Sequence, residues 1–148
     1  MPEHPLRIIA YCLMPNHYHF LIEIDADAAL SPFIQRLVNN YTQAFNRQQN
    51  RTGTLFEGRA KSKMIVEDSY VLHLVRYIHL NPVHAGLVKD PADWAYSNYL
   101  EWVGQRAGML FDPEFFNNLF STPQEYQEFV HESISPEVHK TMAKYIFD

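Results

Sequence analysis

Two histidines separated by one residue, His17-Tyr18-His19, and a tyrosine four residues ahead of an asparagine, Tyr77 and Asn81, hold the most chemistry in this 148-residue sequence. Side chains at i and i+2 of a β-strand leave the same face, so the two imidazoles can approach one metal ion. Two nitrogens do not complete a divalent coordination sphere, and a third ligand must come from elsewhere in the fold. Residues i and i+4 of a helix share a face, which groups Tyr77 with Asn81. The Asn81 amide oxygen is a neutral, hard ligand. The Tyr77 phenol, with an ordinary pKa of about 10, becomes a nucleophile only where positive charge stabilises the phenolate or polarises the electrophile. Plainer readings stay open: a His-x-His pair that hydrogen-bonds at a strand start, a tyrosine at a helix–sheet boundary, an asparagine that ends a helix before Pro82.

The elements that must position these groups follow from periodicity and turn residues. Residues 7–13 and 18–24 are β-rich runs joined through Met14-Pro15-Asn16-His17, the pattern of an antiparallel hairpin. Large side chains on both faces of the second run predict a central strand. Residues 30–49 read as a long helix, capped by Ser31 with Pro32 in its first turn, and with Phe33, Leu37, Tyr41, Ala44 and Phe45 as its apolar stripe. Residues 50–58 form a loop, and 62–66 are a further strand candidate. Asp68 opens a second helix as its N-cap, with Val71, Leu74, Val75 and Ile78 on its core face, and Pro82 should stop it near Asn81. Helices are expected over 93–103, over 123–132 behind the capping box Thr122-Pro123-Gln124-Glu125, and over 136–146. The order β-β-α-β-α followed by helices predicts a small α+β domain with a helical extension. His73, one turn before Tyr77, reads as a polar flank residue that borders the site, and His79 points away from Tyr77; Glu23 and Asp25 end the histidine strand on the His face, as metal neighbours or simply as solvated strand-end carboxylates, and Cys12 reads as an inert core thiol.

Composition narrows the class. At 47% hydrophobic and 14% aromatic residues the chain can build a core, and long-range disorder is excluded. No apolar run reaches the roughly 18–20 residues of a membrane span, the N-terminus lacks the build of a signal peptide, and one cysteine excludes a disulfide framework. The chain reads as soluble and cytoplasmic. Its net charge of −5 is unevenly spread. Between positions 36 and 63, Arg36, Arg47, Arg51, Arg59, Lys61 and Lys63 face only Glu57, a net of +5, whereas from Asp90 onward ten acids outnumber three bases, a net of −7. A basic face on a chain with an acidic tail points to a polyanionic partner, although a solvated helix surface has the same composition.

Together the segments YCLMPNHYHFLIE, GTLFEGRAKS, RYIHLNPVHAGLV and DWAYSNY, in that order over residues 8–102, resemble the REP-associated tyrosine transposases, single-tyrosine HUH transposases of bacterial insertion sequences. The resemblance implies a ferredoxin-like antiparallel sheet with helices on one face, within a catalytic domain over 1–103 followed by an acidic helical extension over 104–148. It implies Mg²⁺ or Mn²⁺ held by His17, His19 and Asn81. Tyr77 is then the nucleophile that attacks single-stranded DNA beside a hairpin, leaving a 5′-phosphotyrosine and a free 3′-OH. The six basic residues, with Tyr41, Phe45 and Phe56, would contact phosphates and stack on bases. The family's usual opening strand and helix have no counterpart ahead of Arg7, and an exposed sheet edge would favour a homodimer. Two alternatives stand beside this reading. One is a domesticated hairpin-DNA-binding protein without catalysis; the other is a metal-dependent phosphodiesterase in which water replaces Tyr77.

Overall fold

The computed structural model describes residues 6–25 and 30–146; the N-terminal residues read above for a signal peptide lie largely outside them. The architecture is α+β, as expected. Strands β1 (Leu6–Leu13) and β2 (Tyr18–Ile24) form an antiparallel pair, and six α-helices follow: α1 (Leu30–Gln48), α2 (Val71–His84), α3 (Tyr99–Trp102), α4 (Pro113–Asn117), α5 (Pro123–His131) and α6 (Pro136–Ala143). The chain forms two compact units, Met1–Arg7 with Ile24–Lys63 and Ile8–Glu23 with Met64–Asp148.

In the larger unit the sheet departs from expectation in which strand is central. Within the described residues β2 pairs with β1 alone, whereas β1 has partners on both sides. Its second neighbour is the segment around Ser97. Cys12 bridges to Ser97, the Leu13 N–H donates to the Tyr96 carbonyl (2.8 Å), and the Asn98 N–H donates to the Tyr11 carbonyl (3.3 Å). Adjacent positions Ile9 and Ala10 are both buried, so β1 is covered on both faces.

Segment 96–98 is therefore ladder rather than helix, and the helix expected over 93–103 is reduced to a 3₁₀ turn at Pro91–Asp93 and the short α3. Residues 62–66 form no strand. Met64 and Val66 stand exposed there, and an extended segment with no ladder partner has nothing to hold it in a sheet.

α2 is the axis of this unit. A 3₁₀ turn, Asp68–Tyr70, leads into it, so Asp68 lies inside that turn and Glu67, not Asp68, precedes it. The helix passes through Pro82 instead of stopping before it. A proline removes one i→i−4 bond, and one turn from the end of a buried helix that loss is tolerated. The exit is a Schellman turn: Leu87 N–H donates to the Pro82 carbonyl (2.9 Å), Gly86 N–H to the Val83 carbonyl (3.0 Å), and Gly86 takes φ +75°, the left-handed conformation glycine adopts without strain.

α2 packs against α5 and α6. Phe116, Tyr126, Val130 and Met142 from the C-terminal helices share one apolar core with Ile9, Leu74, Val75, Tyr99 and Trp102. Each of these helices begins with a cap followed by proline. Asp112 Oδ1 accepts from Phe115 N–H, Thr122 Oγ1 from Glu125 N–H and Ser135 Oγ from Val138 N–H. Glu125 completes a capping arrangement by accepting from the Ser121 N–H (2.9 Å).

The smaller unit is α1 and the loop after it. Ser31 and Pro32 lie inside the first turn of α1 rather than capping it. At its far end Asn50 takes φ +54°, and Asn46 ties the loop back by donating to the Gly53 carbonyl (2.8 Å). Arg51 donates to Asn46 Oδ1 (2.7 Å) and to the Thr54 carbonyl (3.1 Å).

Candidate active site

His17 sits at the mouth of the hairpin, where its carbonyl accepts from the Met14 N–H (2.8 Å), and His19 is buried in β2. His17 lies just outside β2, which begins at Tyr18, so only His19 is a strand residue, yet the two ring centroids lie 5.0 Å apart at an interplanar angle of 80°. Asn16 Oδ1 lies 2.7 Å from His17 Nδ1. An amide oxygen only accepts, so His17 Nδ1 carries the proton and its lone pair is on Nε2. Both Nε2 atoms are buried. Two imidazoles side by side, one with its tautomer held by a neighbouring amide, are chemically able to donate nitrogen lone pairs to one divalent ion. Among the described residues no three His, Cys, Asp or Glu side chains gather as a metal-binding group.

Tyr77 and Asn81 are both buried on α2, four residues apart as expected. The Tyr77 ring lies against His84, centroid to centroid 5.4 Å at 68°, and against His139 of α6, 5.6 Å at 43°. Sequence reasoning passed over both of these histidines. His84 follows Tyr77 by two helical turns, a spacing that could have signalled it, but no local pattern points to His139. Burial holds the His84 imidazole below its ordinary pKa, and the neighbouring His139 adds to the effect.

Three other polar side chains of α2 have structural work. His79 is fully buried. Asn98 Nδ2 donates to the Ile9 carbonyl (3.1 Å), which fixes the amide so that Oδ1 accepts from the Tyr11 N–H (3.0 Å) and from His79 Nε2 (2.7 Å). His79 Nδ1 then accepts from the Tyr126 hydroxyl. Burial pushes His79 down to about 4, against a smaller upward pull from Asn98, so the imidazole is neutral. Arg76 is also buried; it donates to the Phe129 carbonyl (3.2 Å) and to His73 Nδ1 (3.1 Å), and its guanidinium stacks 4.1 Å from the Phe129 ring centroid. His73 is thereby engaged, its pKa lowered by burial and by Arg76. Cys12 is buried in β1, and burial pushes its thiol up to about 12.

The six basic residues Arg36, Arg47, Arg51, Arg59, Lys61 and Lys63 are all exposed. Near them Tyr41 stacks on Phe45 (6.2 Å, 25°) and tilts against Phe56 (6.0 Å), and Arg51 lies 5.8 Å over the Phe45 ring. Tyr41 remains 54% exposed, which leaves a ring surface open to solvent. No described helix is long and apolar enough to cross a membrane.

Comparison with known proteins gives this arrangement a lineage. A curated protein of Haemophilus influenzae, named as a REP-associated tyrosine transposase, is 27% identical over 107 residues, which cover 66% of this chain and 61% of the relative. The chain thus spans about three fifths of the length of the curated relative it matches. No solved structure matches. The family model described as IS200-like transposase matches residues 2–81, more than half of the chain, an interval that takes in His17, His19, Tyr77 and Asn81. The chain belongs to the IS200-like transposase family.

Proposed function

We propose that this chain cuts and rejoins single-stranded DNA through Tyr77 at sites flanked by hairpins, with a divalent ion held by His17, His19 and Asn81. The observation that carries the reading is the coincidence of two things: the paired imidazoles, 5.0 Å apart, and a family match that ends at Asn81 and spans all four residues. Nitrogen donors with one amide oxygen are softer than the all-oxygen shell that Mg²⁺ prefers, so Mn²⁺ fits the set at least as well. When bound, the ion would polarise the scissile phosphate and offset the charge that develops on it.

The remaining work belongs to the chain. The Tyr77 oxygen forms a bond to phosphorus as the bond from phosphorus to the 3′ oxygen breaks. The phenolic proton is lost, the departing 3′ oxygen gains one, and a 5′-phosphotyrosine remains. Attack by another 3′-OH reverses the step, so bond energy is conserved and no nucleotide cofactor is needed. Arg36, Arg47, Arg59, Lys61 and Lys63 would neutralise phosphates, while the Tyr41 ring would take an unpaired base. Arg51, bound into its own loop, would hold that surface in shape as well as add charge. The catalytic portion is assigned to 1–103, with 104–148 as the acidic extension. A homodimer completes the proposal, with light scattering as its test.

The experiment is incubation of the full chain with end-labelled hairpin oligonucleotides and Mn²⁺, followed by denaturing electrophoresis. A DNA adduct that survives denaturation is expected from the parent. Tyr77→Phe should bind the same DNA and give no adduct, and His17→Ala should also give none. Cleavage by Tyr77→Phe with release of free product would replace this reading with a water nucleophile.

A further inference from the structure

The Tyr77 ring is 9% exposed, yet the two imidazoles in contact with it, His84 and His139, both stand at the surface. One comes from the same helix two turns on; the other comes from α6, more than sixty residues away in the chain. α6 packs directly on α2. Its own register is set by Ser135, which caps it, and by Met142, which is buried in the core. The position of His139 over Tyr77 is therefore built into the fold and does not depend on a loose tail.

We propose that His84 and His139 are positioning residues that clamp the Tyr77 ring, and that the C-terminal helices thereby form part of the nucleophile's site. The proposal rests on the reading of Tyr77 as the nucleophile. A tyrosine has only two side-chain torsions, but an in-line attack on phosphorus needs its oxygen within a narrow range of positions. Restricting the ring before DNA arrives removes that ordering from the barrier, and a misplacement of about 1 Å can slow a step by around a hundredfold. Planar rings suit the task because aromatic edges and faces fix each other's tilt.

The clamp predicts a rate effect without a binding effect. With saturating hairpin DNA and Mn²⁺, His139→Ala and His84→Ala should each slow single-turnover adduct formation about tenfold, while the dissociation constant for the same DNA stays within about twofold. His139→Phe keeps a planar ring with no nitrogen and should restore most of the rate. Unchanged rates in both alanine variants would overturn the proposal. Failure of His139→Phe to restore the rate would overturn it too, because the nitrogen atoms rather than the ring would then matter.

A second measurement needs neither DNA nor activity. In protein carrying ¹³C-labelled tyrosine, the ring-flip rate of Tyr77 should rise in His139→Ala and return toward the parent's in His139→Phe. A flip rate indifferent to both substitutions contradicts the clamp. Should the parent form no adduct at Tyr77 while the flip rates behave as stated, the nucleophile reading fails and the clamp stands.

Discussion

α1 and α2 are both amphipathic, aromatic-bearing helices, and they are used in opposite ways. The nineteen residues of α1 include none that is fully buried, whereas α2 buries eight of its fourteen, among them a histidine, an arginine, a tyrosine and an asparagine. The polar groups of α2 are held by named partners: His79 by Asn98 and Tyr126, Arg76 by the Phe129 carbonyl and His73. Those of α1 and its loop meet solvent, with Arg51 and Asn46 spent on the loop itself. Burial makes α2 a rigid mount from which a side chain can be aimed. Exposure makes α1 a surface that can meet a long, charged partner.

The largest effect is expected from a substitution in the network that holds α2. Asn98→Ala removes the amide that serves Tyr11, His79 and the Ile9 carbonyl at once and leaves buried groups unsatisfied. Urea denaturation should show a loss of about 3–5 kcal/mol, at the high end for single substitutions. Acid should act on the same network. His79 is held near 4 in the fold and returns to its ordinary value when unfolded, so the unfolded chain binds the extra proton between those two values. Stability from this group is complete above about pH 6.5 and declines on acidification toward pH 4, by roughly 3 kcal/mol in all. A His79→Gln variant should lose that slope. If its denaturation profile against pH matches the parent's, the network is not the acid-sensitive element.

Tyr126→Phe deletes only the hydroxyl donated to His79 and should cost about 1–2 kcal/mol, measured by the same denaturation. On the other side, Arg59→Ala with Lys61→Ala should leave stability within about 0.5 kcal/mol of the parent. The same pair should weaken hairpin-DNA binding and flatten the dependence of log affinity on log salt by roughly 1.4–1.8, two phosphate contacts' worth. An unchanged salt slope would make the basic segment a solvated surface with no role in binding.

What could be read in advance follows the range of the interactions involved. The hairpin, α1 and α5 announce themselves through turn residues, a 3.6-residue stripe or a capping box, all of which are local. The five-residue α4 is too short to show a stripe, although its Asp112-Pro113 start has the same cap-then-proline form as those of α5 and α6. Residues 62–66 have strand-forming side chains, but a strand exists only with a partner. Segment 96–98 has the converse history: helix-compatible residues drawn into pairing by β1. Pro82 marked a helix end because a proline forbids one bond, yet burial of the surrounding turn outweighs that bond. At the site, the His17–His19 pairing and the shared face of Tyr77 and Asn81 were legible from spacing alone. The contacts of His79 with Tyr126 and of Tyr77 with His139 join positions more than forty residues apart and come from helix packing, which no local pattern encodes.

The proposed joining of Tyr77 to DNA can be read from the adduct itself, formed by the full chain with a hairpin oligonucleotide and Mn²⁺, digested with protease and analysed by mass spectrometry. A nucleotide mass attached to Tyr77 and to no other residue is expected. Attachment to another tyrosine such as Tyr70, or cleaved DNA with every tyrosine unmodified, would overturn the proposal.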